Sequence, residues 1–299
     1  MFVIKYKKFF IGLSVFFVIA SIAAVAIFGL PLGIDFKGGS QLQLSYSGAR
    51  PEAAGIKATL ESAGLGDVLV QPTGETGILL KTTTITDTQK DIVVKVLSQT
   101  SSSVPVTVTS FTTIGPSVGA ELKHKAILSI ILVLTAIILF VAYAFRKVSR
   151  PVSSWKYGLA VIIALVHDIA IPLGAFALLG HFYGAELDTL FVVALLTTLA
   201  LSIADTIVVF DRIREHLSTS KGAMPFPQLV GESLGETFVR SINTSLMVLV
   251  MVITLAIVGP VSTRLFATVL AIGMFFGTYS SIFLASPLLV VFAQSQKKN

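Results

Sequence analysis

The chain has 299 residues, of which 54% are hydrophobic and only 13% are charged, and its mean hydropathy is +0.87. Such a composition excludes an ordinary soluble globular protein and is typical of a protein that crosses a membrane several times. The chain contains no cysteine, which excludes disulfide bonds and thiolate metal sites.

Six apolar segments are long enough to cross a bilayer as helices, given a rise of ~1.5 Å per residue. Lys5, Lys7 and Lys8 precede the first segment as in a signal peptide. Its apolar run of about 20 residues exceeds the usual length of roughly 7–15, so we expect an uncleaved anchor. Pro287 predicts a tilt or kink in the last segment. The sequence therefore predicts an α-helical polytopic membrane protein with six transmembrane helices, near residues 9–28, 126–145, 157–179, 189–210, 242–259 and 265–293.

The net charge of +6 indicates orientation rather than a polyanionic partner. Between residues 29 and 125 eight basic residues balance eight acidic ones, so the excess lies beside the apolar segments. The short loops on the other side hold Glu186, Asp188 and one basic residue, Arg264. By the positive-inside rule both termini are predicted to be cytoplasmic, and no nucleic-acid partner is expected. The basic residues on the cytoplasmic side are Lys5, Lys7, Lys8, Arg146, Lys147, Arg150, Lys156, Arg212, Arg214, Lys221, Arg240, Lys297 and Lys298.

Residues 29–120 form the predicted soluble domain, on the extracytoplasmic side. Its alternating strands, helix starts and glycine turns predict the order β-α-β-β-α-β, the ferredoxin-like α+β unit. The domain holds no histidine and no cluster of paired carboxylates, so a binding or docking module is favoured over an enzyme. Residues 1–28 are predicted as the cytoplasmic N-terminus and first span, and 121–299 as spans two to six with a cytoplasmic hairpin at 211–240. The predicted strands are 41–46, 67–70, 77–83 and 104–114, and the predicted helices are 51–63 and 86–99.

Two glycine clusters flank this domain. The first, Gly33–Ser40, contains Asp35 and the adjacent Gly38 and Gly39, which predict a tight turn into the first strand. A phosphate cradle is the weaker interpretation, because the spacing of a P-loop is missing. The second cluster, Gly115–Gly119, breaks the last strand and leads into the second span.

The fourth segment carries a single acid, Asp205, with Ser202 one turn before it and the charged stretch Asp211–Glu215 at its end. A carboxylate inside a transmembrane helix costs roughly 2.5–3.5 kcal/mol on insertion scales and by default marks an ion or proton path. The alternative is a structural acid that is hydrogen-bonded to a neighbouring helix.

His167 and Asp168 lie near the middle of the third segment, one turn before Pro172. A proline leaves the carbonyl group one turn earlier, that of Asp168, without its helical partner. The pair is therefore interpreted either as a polar cluster that stabilises a kink at Pro172 or as a direct participant in proton movement.

The fifth segment opens with Arg240, Asn243 and Thr244, which share one helix face. Counted from the cytoplasmic edge, Arg240 has the reach to pair with Asp205 on the antiparallel fourth span. The alternative is that Arg240 anchors the span end among lipid headgroups. Asn243 and Thr244 favour the first interpretation, because polar side chains suit a helix that packs against a polar neighbour.

The sixth segment is rich in small residues. It contains Gly273, Ser286 and the run Gly277–Ser281, in which Thr278 follows the glycine. Glycine and serine at this spacing favour close helix contact, with a hydroxyl relay as the alternative.

Four motifs, Gly33–Gly39, Gly115–Gly119, Ser202–Glu215 and Gly277–Ser281, occur in this order along the chain. Together with six predicted spans and one large domain after the first span, they resemble the SecF family of the bacterial Sec protein-export machinery. This family lies within the resistance-nodulation-division superfamily. The resemblance covers nearly the whole chain.

The resemblance implies a SecD partner, the SecYEG channel with its SecA motor, unfolded exported polypeptides as cargo, and a place in the bacterial inner membrane. Family members are understood to use the proton-motive force, or sodium in some marine relatives, so no bound cofactor, metal or enzymatic activity is expected. The family's membrane carboxylate corresponds to Asp205, the arginine of its fifth span to Arg240 and the nearby threonine to Thr244. The family commonly has asparagine where this chain has Ala204, which affects the detailed hydrogen bonding more than the role.

The mechanism implied is that Asp205 alternates between protonated and ionised states while protons cross the SecD–SecF interface. Approach and withdrawal of Arg240 would switch its affinity for the proton. Ser202 and Asp168 are the further candidates for the relay. One alternative is a proton-driven exporter of small molecules or lipids, although such pumps usually carry twice the spans and outer domains in one chain. The other is a passive assembly scaffold, in which charge-neutral changes at Asp205 are silent.

Overall fold

A computed structural model describes residues 2–66, 68–100, 105–146, 152–220 and 224–296. The chain divides into two compact units. We call them the helical unit (Met1–Pro31, Leu128–Glu186 and Leu190–Asn299) and the sheet unit (Leu32–Ile127 and Leu187–Thr189). Several predictions fall outside the described residues: the first residue of the second predicted strand, Asp67, that of the last, Val104, the hairpin turn at 221–223, and the basic residues Lys147, Arg150, Lys221, Lys297 and Lys298.

The elements follow one another in the order that the apolar and polar periodicities predict. In chain order they are α1 (Phe2–Lys5), α2 (Lys7–Phe28), α3 (Ile34–Lys37), β1 (Gly39–Tyr46), α4 (Ala53–Ser62), β2 (Leu69–Thr73), β3 (Gly77–Thr82), α5 (Asp87–Thr100), β4 (Val106–Ile114), α6 (Pro116–Ala144), α7 (Ser154–Tyr183), α8 (Thr189–Ser220), α9 (Phe226–Val258), α10 (Val261–Tyr279), a π-helical segment (Ser280–Ala285) and α11 (Ser286–Gln296).

Six helices among the described residues are long and apolar enough to cross a membrane, which confirms the six predicted spans. Five are α2, α6, α7, α8 and α9, and the sixth, Thr263–Ser295, combines α10, the π-helical segment and α11. The helix α6 begins at Pro116, about ten residues before the predicted span, because proline suits the first helical turn. The helices α8 and α9 also continue past their apolar stretches into the hairpin.

The helical unit has a buried centre and an exposed periphery. The helices α7 and α8 and the sixth span are half or more buried, whereas α2, α6 and α9 expose most of their apolar side chains. The main core cluster includes Tyr157, Phe145 and Phe210, whose rings pack at centroid distances of 5.4–5.8 Å. A polar side chain within the apolar stretch of α7 or α8 can therefore lie in the interior, whereas one on α9 can lie on the outside.

The sheet unit is built on one antiparallel sheet with the strand order β2-β3-β1-β4. Leu42 and Leu44 of β1 join Ile56 of α4 and Val93 of α5 in its core, so both helices cover the same face of the sheet. The strand β2 extends beyond the predicted strand at 67–70, because Pro72 is still paired with Ile78. Proline is tolerated there since β2 is an edge strand, where the missing N–H group breaks no ladder hydrogen bond.

The two adjacent glycines form the predicted tight turn, between α3 and β1. Gly38 has φ +81° and Gly39 has φ +143°, conformations that side chains other than glycine's rarely adopt. A Cβ atom on Gly38 would lie 2.9 Å from Pro116 Cα, and one on Gly119 would lie 2.8 Å from Gly38 N. The two glycine clusters therefore pack backbone against backbone where α6 begins.

Asp35 is next to this turn, in α3. Its Oδ2 atom accepts hydrogen bonds from the backbone N–H of Thr189, at 2.9 Å, and from the Thr189 hydroxyl. Thr189 is the first residue of α8, whose first N–H groups have no partner within the helix. The carboxylate of Asp35 therefore caps the N-terminus of the helix that carries Asp205.

Candidate membrane polar site

The centre of the helical unit is polar around one carboxylate, that of Asp168 on α7, which is 1% exposed. Its Oδ2 atom accepts hydrogen bonds from Ser202 Oγ at 2.5 Å and from Ser280 Oγ at 3.0 Å. Its Oδ1 atom lies 2.9 Å from Nδ1 of His167, which is equally buried. With each partner donating, the carboxylate accepts three hydrogen bonds and needs no proton of its own.

The three donors come from three elements that meet at Gly277 of α10. A Cβ atom on Gly277 would lie 2.9 Å from Ser202 Cβ, so the glycine allows α8 and α10 to approach closely. The carbonyl oxygen of Gly277 is a second acceptor for both serines, at 3.3 Å from Ser202 Oγ and 2.9 Å from Ser280 Oγ. Ser280 opens the π-helical segment, where the wider turn breaks the α-helical ladder.

A second layer of hydroxyl groups lies one helical turn further along α8. Thr206 Oγ1 is 2.8 Å from Ser281 Oγ, which also donates to the carbonyl group of Ser202 at 3.0 Å. Ser286 Oγ then donates to the carbonyl group of Ser281 at 3.1 Å. These hydroxyl groups thus bond backbone carbonyl groups both of α8 and of the π-helical segment.

His167 is the least satisfied member of the cluster. Its ring lies nearly parallel to the ring of Tyr279, with centroids 6.0 Å apart, and the Tyr279 hydroxyl donates to the carbonyl group of Phe10. The Nε2 atom of His167 is buried and has no hydrogen-bonding partner among the described residues. Of the two ring nitrogens, only Nδ1, which faces Asp168, takes part in the hydrogen bonds of the cluster.

Asp205 belongs to a different cluster, between α8 and α9. The Asp205 carboxylate is only partly buried, and its Oδ2 atom accepts a hydrogen bond from Ser245 Oγ at 3.0 Å. The Ser241 hydroxyl lies near the same carboxylate, but it makes no hydrogen bond among the described residues. Ser241 and Ser245 are four residues apart and so share the face of α9 that meets α8.

The predicted pair between Asp205 and Arg240 is not formed in this structure. Among the described residues, Arg240 makes neither an ion pair nor a side-chain hydrogen bond, and its side chain is exposed. Thr244 is also exposed and donates to the carbonyl group of Arg240 in its own helix at 2.9 Å. Ser241 and Ser245 each follow a predicted residue, Arg240 or Thr244, by one position along α9. Adjacent helical residues point about 100° apart. Ser241 and Ser245, rather than Arg240 and Thr244, therefore face Asp205.

The structure thus divides the predicted relay residues into an inner and an outer group. Ser202 and Asp168 are in direct contact in the inner cluster, and Gly277 packs on Ser202. Asp205 lies in the outer cluster, where Arg240 and Thr244 occupy the adjoining exposed face of α9. Thr278 makes only an intrahelical hydrogen bond, to the carbonyl group of Met274 at 2.9 Å.

Several hydroxyl residues of these clusters were not predicted as site residues, although most of them have a small or polar partner one helical turn away. Thr206 follows Ser202 by four residues, and Ser281 follows Gly277 by four. Ser245 follows Ser241 in the same way, and Ser280 is next to Ser281. A search for paired small polar residues one turn apart would have found them. In the part of the chain that the structure describes, no group of three or more His, Asp or Glu side chains is arranged to hold a metal ion.

The charged ends of α8 and α9 are tied together by ion pairs. Arg212 pairs with Glu236 of α9 through Nε, and with Glu215 of its own helix through Nη1 at 2.5 Å. Arg214 pairs with Asp211. These side chains are 34–59% exposed, so the ion pairs are worth less than about 1 kcal/mol each. A pocket of about 490 Å³ lies beside these ion pairs. It is lined by Val208, Asp211, Arg212, Glu215, Glu236, Thr237 and Arg240.

Comparison with known proteins places this arrangement in a family. Residues 93–295 match the family model for the C-terminal part of the protein export membrane proteins SecD and SecF, and residues 23–49 match the SecD/SecF GG motif. The protein translocase subunit SecF of Anaerolinea thermophila is 36% identical over 98% of this chain and 94% of its own. That of Thermobaculum terrenum is 37% identical over 96% of this chain and 92% of its own.

A solved structure shows the same fold. The crystal structure of SecDF from Thermus thermophilus, described as a translocon-associated membrane protein, superposes with a TM-score of 0.84 at 29% sequence identity. The superposition covers 99% of this chain but only 38% of that longer one. The chain therefore belongs to the SecD/SecF family of protein export membrane proteins, as a SecF member.

Proposed function

We propose that the chain works as the SecF subunit of a SecD–SecF complex that uses the proton-motive force to promote protein export. In this proposal it lies in the bacterial inner membrane with both termini in the cytoplasm, and it acts beside the SecYEG channel and SecA on unfolded polypeptides. The coupling ion is the proton, with sodium as the alternative. The sheet unit is an extracytoplasmic ferredoxin-like domain, and its strand order and antiparallel pairing support this assignment.

The observation that carries the proposal is a partly buried carboxylate beside an exposed polar face. Asp205 accepts a hydrogen bond from Ser245, and next to it Arg240 and Thr244 are exposed on α9. An exposed arginine and threonine at the end of a membrane span suit a protein neighbour better than lipid. A partner helix at this face would complete the surroundings of Asp205, so its arrival and departure would change the affinity of Asp205 for a proton.

The inner cluster contributes a second carboxylate to the proposed relay. Asp168 and Ser202 form its shortest hydrogen bond, and Nε2 of His167 has no hydrogen-bonding partner among the described residues. The described residues contain no hydrogen-bonded chain from Asp168 to Asp205. In the proposed cycle, movement of α8 or entry of water closes this gap, since Ser202 and Asp205 lie one turn apart on the same helix.

The test is proton flux into vesicles that contain this chain with SecD, measured while an unfolded polypeptide occupies the channel. Asp205→Asn keeps the size of the side chain and its hydrogen bond to Ser245 but cannot carry a proton. We expect proton flux to be lost in this variant while the complex remains assembled. Thr254→Val is the matched control, because Thr254 is exposed on α9 and bonds only to its own helix. Parental flux in Asp205→Asn would return the chain to the role of a passive scaffold.

A further inference from the structure

The pocket at the ends of α8 and α9 reaches within one helical turn of Asp205. Val208 lines the pocket three residues after Asp205 on α8. Arg240 lines it too, directly before Ser241, which lies beside the Asp205 carboxylate. The opposite end of the pocket is lined by Glu236 and Arg212, about 6 Å further along the helix axes. A volume of about 490 Å³ has room for several waters.

His216 lies next to Glu236 at this far end and also contacts Ser233 of α9. Ser233 Oγ is 3.1 Å from His216 Nδ1 and also donates to the carbonyl group of Leu229 at 2.9 Å. A neutral imidazole has one unprotonated ring nitrogen, which can accept a proton.

The other ring nitrogen faces a carboxylate. His216 Nε2 is 3.4 Å from Glu236 Oε2. When the imidazole carries a second proton, Nε2 donates a charge-assisted hydrogen bond to Glu236. The imidazole is 21% exposed, so it can exchange protons with water. The other charged groups around this pair in the described residues are Arg212, which also pairs with Glu236, and Glu215.

We propose that this pocket is the cytoplasmic mouth of the proton path and that His216, oriented by Ser233 and Glu236, accepts the proton that Asp205 releases. The O–H bond of the Asp205 carboxyl group breaks, and pocket water carries the proton to the unprotonated ring nitrogen of His216, where an N–H bond forms. The imidazolium pairs with Glu236 until the proton leaves to bulk water, which restores the neutral ring. Histidine suits this step because it is the residue type that changes charge most readily near neutral pH. The inference rests on the proposed function, in which Asp205 is the proton-carrying group.

The experiment is proton flux through vesicles that contain the full chain with SecD, comparing the parent with His216→Asn. Asparagine can still donate to Ser233 but cannot accept the proton. We expect flux to fall roughly tenfold, the loss of one positioned proton acceptor partly replaced by water. Millimolar imidazole on the side of the hairpin should restore flux, because a small imidazole fits the pocket and replaces the missing ring. His124→Asn is the control, since His124 is an exposed histidine on α6 and should leave flux unchanged.

Each outcome is decisive. Unchanged flux in His216→Asn overturns the inference, and so does a loss of flux that imidazole does not restore, because His216 would then be only structural. If Asp205→Asn abolishes flux while His216→Asn does not change it, this inference alone fails. If Asp205→Asn retains parental flux, the proposed function fails, whatever His216 does.

Discussion

The buried Asp168 cluster makes a quantitative prediction about stability. Asp168→Ala removes the acceptor of three hydrogen bonds, from Ser202, Ser280 and His167. At about 1.5–3 kcal/mol for each hydrogen bond to a charged group, the simple sum is roughly 4–9 kcal/mol. The simple sum is too large, because both serines have the carbonyl oxygen of Gly277 as a second acceptor.

Only His167 would then be left without any hydrogen-bonding partner for Nδ1. The expected loss for Asp168→Ala is therefore the cost of one orphaned polar group and a small cavity, about 2–4 kcal/mol. Asp168→Asn keeps the volume and one acceptor oxygen for His167, so we expect a loss of about 1 kcal/mol. Asp168→Ala should therefore destabilise the protein clearly more than Asp168→Asn. Both serines can still donate to the Gly277 carbonyl oxygen, whereas His167 has no second acceptor.

The assay is equilibrium unfolding in mixed detergent micelles, followed by the fluorescence of Trp155. It is the only tryptophan in the chain and lies at the start of α7, the helix that carries Asp168. Thr254→Val is again the control and should change the free energy of unfolding by less than about 0.5 kcal/mol. A parental free energy of unfolding in Asp168→Ala would refute the argument. Equal losses for alanine and asparagine would show that the carboxylate charge, rather than acceptor geometry, determines the stability.

Two further predictions concern the sheet unit. Gly38→Ala combines an unfavourable φ of +81° with a Cβ atom 2.9 Å from Pro116 Cα, so we expect a loss of about 2–4 kcal/mol in hydrogen-exchange protection of β1. Gly64→Ala has the same φ but meets no atom within 4 Å, so it should cost only about 1 kcal/mol, and equal effects would contradict the packing argument. Asp35→Ala removes the cap of α8, so the free energy of protection against amide exchange at Thr189 and the following turn should fall by about 0.5–2 kcal/mol. Unchanged exchange there would exclude a capping role.

The elements of this fold are predictable because their signals are local. The alternation in Gln41–Tyr46 and the apolar runs of the spans depend on neighbours within a few residues, and each has the predicted type of secondary structure. Boundaries are less predictable where the sequence changes polarity without changing conformation. Asp211–Arg214 is charged yet continues α8, since its ion pairs lie on the helix surface.

The contacts of the site are less predictable, because they depend on how each helix is rotated about its axis. Counting residues from the end of the apolar segment places Asp205 level with residues 240–245 of α9, about 15 residues after this helix begins. It cannot decide between the face of Arg240 and the face of Ser241, which differ by about 100°. Asp168 could be found as a buried acid, but its partner Ser280 depends on the π-helical turn, for which the sequence offers only the nearby Pro287.

The inner and outer clusters are joined mechanically by α8. Ser202 and Asp205 are fixed to the same helix, whose side chains lie about 5 Å from the axis, so a rotation of about 20° displaces each by about 1.7 Å. Directed away from Asp168, such a displacement lengthens the 2.5 Å contact with Ser202 beyond hydrogen-bonding distance. A rotation of α8 that turned Asp205 towards a new neighbour would therefore cost a hydrogen bond in the inner cluster. The buried cluster thereby opposes rotation of α8.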